Sequence, residues 1–151
     1  MTEEWAKTVA QKIENRPVEE AERAGTLRKR FEEGVERFRR QVLDLVAGVN
    51  EKIATEASRI QVIVLDDGIV LAAAYKRIVT MEEMGVVPGV PACVGKIVLH
   101  VEDRRATAGP EPREMFVTSA GTQTTFYHYV GKDLKICGEA DFKHIVEHFA
   151  T

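Results

Sequence analysis

Ile60-Gln61-Val62-Ile63-Val64-Leu65-Asp66-Asp67-Gly68-Ile69 is where this chain changes character. Residues 60–65 are apolar except for one glutamine and rich in β-branched side chains, the composition of a strand. Asp66-Asp67-Gly68 is a hairpin turn signal in which glycine supplies a positive φ. Ile69 to Val79 reads as the return strand. Both strands are apolar on both faces near the turn, which predicts a central hairpin with helix on one side.

What precedes the hairpin is different. Residues 1–59 carry twelve basic and twelve acidic side chains, but only three of the eleven glycines and one of the five prolines. Residues 60–151 hold most of the aromatics and turn-formers and are net acidic by three charges. A charged, turn-poor front and a β-rich back predict an α+β protein. The expected parts are a helical segment over residues 1–57 and, over residues 58–151, an antiparallel sheet with a closing helix.

The front reads as a helix pair. In residues 2–15, Trp5, Val9 and Ile13 recur every four positions beside Ala6 and Ala10, and Asn15-Arg16-Pro17 is expected to end that helix. A second, longer helix has its strongest stretch from Thr26 to Ala57. From Phe31 to Val49 its apolar residues step by 4, 3, 4, 3 and 4, a coiled-coil-like seam. Residues 26–57 would extend about 48 Å, whereas a strand of about eight residues covers roughly 26 Å. The seam Phe31, Val35, Phe38 and Val42 is therefore expected on an overhang. There it would meet helix 2–15, a second copy of the chain, or a protein partner.

Outward from the hairpin on the other side, Thr80-Met81-Glu82-Glu83 matches a capping box, so a helical turn ending at Gly85 is expected. Residues 86–95 read as an apolar loop. Strands are predicted at 96–102, 115–119 and 122–130, with a short extension at 135–137, giving about five strands. The polar stretch 103–114 is expected to be a mobile loop. Glu139 to Ala150 reads as the C-terminal helix, with Phe142, Ile145, Val146 and Phe149 on one face.

Composition narrows the function. At 44% hydrophobic and 30% charged, the 151-residue chain can bury a core, which excludes global disorder. No run has the roughly 20 apolar residues of a membrane helix. The acidic start predicts no export signal, and with two cysteines a cytoplasmic, reduced protein is expected. A net charge of −3 argues against nucleic acid. Several of the basic residues of 16–40 have acidic neighbours four positions away, the pattern of a solvated helix face.

No catalytic motif is present. His144 and His148 have ligand spacing and Asp141 lies on their side, but this group is expected to face solvent, so no metal site and no cofactor are predicted. Cys93 and Cys137 are expected to be inert thiols. Strand alternation puts His100 with Glu102 on one face of its strand. It puts Tyr127 and Tyr129 on one face of theirs and His128 on the other. With Tyr75 from the preceding strand, these residues are candidates for a small-molecule surface if one sheet face is open. The leading expectation is an interaction protein that forms a homo-oligomer, a dimer above all, or docks a protein partner through the long helix. A small-molecule binder or enzyme on the sheet face is the alternative.

Overall fold

A computed structural model describes residues 2–106 and 109–151. The protein is α+β. One helix, α1 (Thr2–Lys52), leads into a seven-stranded sheet. The strands are β1 (Gln61–Leu65), β2 (Gly68–Ala73), β3 (Lys76–Met84), β4 (Cys93–Asp103), β5 (Arg113–Ala120), β6 (Gln123–Val130) and β7 (Asp133–Ile136). A C-terminal helix, α2 (Glu139–Glu147), closes the chain. Every strand pairs antiparallel with its neighbour in sequence, so the sheet is a simple meander with β1 and β7 at its edges.

Three expectations are corrected here. The helix pair is a single helix that runs through Pro17. Residues 18–24 are mostly Glu, Ala and Arg, strong helix formers, and they carry the helix past a proline whose interior position costs about 3 kcal/mol. The return strand 69–79 is two strands, because Ala74 takes φ +51° and turns the chain between β2 and β3. That split, together with β7, makes seven strands rather than five. Thr80–Glu83 is not a helical turn but the continuation of β3, paired with β4 from Thr80↔Leu99 to Glu83↔Lys96. Thr107 and Ala108 of the expected mobile loop lie outside the described residues.

The turn at Asp66-Asp67 is a hairpin as expected, with Leu65 opposite Gly68, but the hairpin is not central: β1 is an edge strand and all its residues are exposed. Gly68 is needed for a different reason than positive φ. A Cβ there would sit 1.9 Å from the Thr80 carbonyl oxygen, so only glycine lets β3 approach this closely.

Both helices lie on one face of the sheet. Cross-strand partners Val62↔Leu71 and Leu71↔Ile78, and Ile97↔Met115 and Val117↔Phe126 farther along, share that face. Phe38, Val42 and Val46 of α1 are all but fully buried against it. Phe38, Phe126 and Phe142 form an aromatic triangle with ring centroids 5.6 to 6.2 Å apart, joining α1, β6 and α2. Asn50 finishes the helix end by bonding both the amide and the carbonyl of Ile60, at 2.8 and 2.9 Å.

Candidate functional site

The expected seam is not available to a partner. Phe31, Val35, Phe38 and Val42 all belong to the chain's own core, packed on β4, β5 and α2. The overhang is real but lies farther toward the N-terminus. Every residue from Thr2 to Thr26 is exposed, a helical arm about 37 Å long at 1.5 Å per residue. Along it Trp5 is 69% exposed and Ile13 65%, with Val9 between them. Trp5, Val9 and Ile13 form a ridge of the i, i+4 kind. Ala6 and Ala10 form the shallow row beside it.

The second expected surface is split by the sheet. His100 is opposite Val79, on the face away from the helices. Tyr127 is opposite Phe116 on that same outer face, and Tyr129 meets Phe116 edge-on with centroids 5.6 Å apart. Glu102 also lies there, paired with Arg77 at 2.8 Å. Tyr75 is in the β2–β3 turn rather than on a strand, and the Arg105 guanidinium stacks 5.0 Å from its ring. His128 faces the other way, toward α2. Part of the outer face is covered: Val87 and Val90 from the segment after β3 pack on Cys93, Phe116, Tyr127 and Leu134.

On the helix side, His128 meets two residues that sequence reading did not join to it. Its Nε2 is 3.5 Å from Oδ1 of Asp141 on α2. With Cys137 Sγ, these ligand atoms all lie within 4.8 Å of one another. Each has a local cause. His128 points inward because it alternates with Tyr127 and Tyr129 beside the inward Phe126. Cys137 is held by its amide, which bonds the Phe126 carbonyl at 2.8 Å. Asp141 caps α2, accepting the Gly138 amide on Oδ2 at 2.8 Å, which leaves Oδ1 free to face His128. Burial, with the Asp141 carboxylate as second cause, pushes the Cys137 thiol up to about 12. Arg113 acts in the opposite direction.

A cavity of about 460 Å³ adjoins this cluster, lined in part by Glu111, Arg113, His128, Asp141, His144 and His148. Rather than facing solvent as a group, His144 of α2 and His148 just beyond its end meet at the cavity wall, with ring centroids 4.9 Å apart and the rings tilted to one another. His148 is held below its ordinary range, first by burial and then by His144, Lys76 and Arg113. The available signals for the cluster were strand alternation for His128 and the capping position for Asp141. What was missing was the placement of α2 against β6.

No protein-family model, curated protein or solved structure matches the chain. Among the described residues, no helix is long and apolar enough to cross a membrane.

Proposed function

We propose that the chain is an assembly protein that pairs with a second copy of itself through the arm Thr2–Thr26. The observation that carries this reading is a helix of 25 residues with no packing of its own, bearing Trp5, Val9 and Ile13 in the open. An unsupported helix holding Pro17 and Gly25 gives up about 3 and about 1 kcal/mol at those positions relative to alanine. Tertiary or intermolecular packing normally stabilises such a helix.

The occupant is argued from self-complementarity. The ridge Trp5-Val9-Ile13 and the shallow row Ala6-Ala10 lie side by side on one face. Each copy offers both the ridge and a groove to receive it, the requirement of a two-fold interface. A ridge at i, i+4 spacing favours helices crossing at about −50°, rather than the shallow crossing of a coiled coil. The alternative, a small-molecule site on the outer sheet face, has less support. It loses His128 to the opposite side and part of its floor to Val87 and Val90.

Light scattering on a sizing column tests the reading. The wild type is expected at twice the 16.9 kDa chain mass. Val9→Glu with Ile13→Glu is expected at the chain mass with its helix content in the folded domain kept. A monomeric wild type overturns the proposal.

A further inference from the structure

We infer that His128, Cys137 and Asp141 form a binding site for a borderline divalent transition metal of the Zn²⁺ type. The three donors are an imidazole nitrogen, a thiol sulfur and a carboxylate oxygen, the mixed set such ions prefer over Mg²⁺ or Ca²⁺. They come from β6, the segment after β7 and the first turn of α2, so the fold itself brings them together.

The spacing suits an ion better than it suits direct contacts. Nε2 of His128 and Oδ1 of Asp141 are 3.5 Å apart, longer than a good hydrogen bond. Tetrahedral coordination at about 2.0–2.3 Å sets donors about 3.3–3.8 Å apart. The His–Asp pair already has that separation, and small side-chain rotations bring the sulfur from within 4.8 Å to the same range. Asp141 keeps its capping bond through Oδ2 while Oδ1 serves the ion.

Charge balances as well. Binding breaks the S–H bond of Cys137, forms a sulfur–metal bond and releases the proton to solvent. Thiolate and carboxylate then neutralise the dication, while Arg113 nearby adds one positive charge to the surroundings. Three protein donors leave one tetrahedral position, and the cavity bordered by His128, Asp141 and His144 gives water access to it. The inference stands independently of how the arm is used.

Titration of reduced, EDTA-stripped full-length protein with Co²⁺ tests it. The expected result is one equivalent bound, with a thiolate-to-cobalt charge-transfer band that Zn²⁺ abolishes on displacement. The band is expected to persist in Cys93→Ser and to be lost in Cys137→Ser. His128→Ala, which does not touch the buried thiol, is expected to weaken binding by more than about tenfold, at least the cost of losing an outer-shell partner. Absence of the band in the folded wild type at millimolar Co²⁺ overturns the site. So does a band that follows Cys93, or an affinity unchanged in His128→Ala.

Discussion

Arg39 of α1 holds Glu82 of β3 through both nitrogens of its fork, Nε to Oε2 at 2.8 Å and Nη2 to Oε1 at 2.9 Å. The same Nη2 donates to the Leu65 carbonyl at 2.9 Å, so one side chain ties the helix to β1 and β3. The Glu82 side chain is 6% exposed and that of Arg39 21%. Removing the guanidinium strands a buried carboxylate. Arg39→Met is expected to lower stability by about 3 kcal/mol or more in urea unfolding. Arg40→Ala, which breaks an exposed pair with Glu36, is expected to cost about 0.5 kcal/mol or less. Equal effects would contradict the pairing.

Two helix glycines are expected to respond with opposite sign. A Cβ at Gly34 would lie 2.3 Å from a methyl of the fully buried Val117, whereas one at Gly48 meets nothing within 4 Å. Gly48→Ala is expected to stabilise by up to about 1 kcal/mol through helix propensity. Gly34→Ala is expected to destabilise by about 1–3 kcal/mol through overpacking. Thermal unfolding of the two single variants checks the contrast.

His148 gives the protein an acid-sensitive end. Burial and the neighbouring cations His144, Lys76 and Arg113 hold its pKa below the ordinary 6.5. Protonation is thus easier in the unfolded chain. The contribution of His148 to stability is present above pH 6.5 and is lost as pH falls below that value through the folded pKa. NMR titration is expected to place His148 below 6.5. In His144→Ala it is expected to move upward without reaching the ordinary value, because burial is the larger cause.

Strand β1 leaves its outer edge unpaired, with Val62, Ile63, Val64 and Leu65 all exposed. Such an edge templates sheet-to-sheet aggregation. Ile63, opposite Val70, points away from the helices. Ile63→Lys is expected to raise the concentration at which turbidity appears and to change the unfolding midpoint little. A variant as prone to aggregate as wild type would locate the liability elsewhere.

Much of the architecture was legible in residues. The alternation of Ile97, Leu99 and Val101 is a local signal strong enough to place a strand and its faces. The apolar run 60–65 and the Asp66-Asp67 turn carry local signals strong enough to place a hairpin, but not its position: apolar residues on both faces suggested a central strand, whereas β1 is an edge strand with Val62 to Leu65 exposed. Pro17 misled because local steric cost does not decide where strong helix formers flank the proline. Thr80–Glu83 misled because a capping pattern and a strand can share one sequence, and pairing with nine consecutive residues of β4 outweighs the cap. Arg39 read as part of a solvated helix face and Glu82 as part of a capping box, since nothing local tells a helix face that it will meet a carboxylate 43 residues away. The seam Phe31 to Val42 was correctly apolar, but its spacing cannot distinguish another helix from the chain's own sheet. The His128–Cys137–Asp141 cluster is a property of how α2 docks, and no spacing in the sequence encodes it.

Trp5 is the chain's single tryptophan and sits on the exposed arm, so its fluorescence reports directly on what covers that arm. Emission should be recorded across a dilution series alongside molar mass. Self-association through the arm predicts a blue-shifted maximum wherever the mass is twice that of the chain, moving to the red as the mass falls to one chain and in Val9→Glu with Ile13→Glu. A maximum typical of indole in water, unchanged while the mass is that of a dimer, would contradict the account.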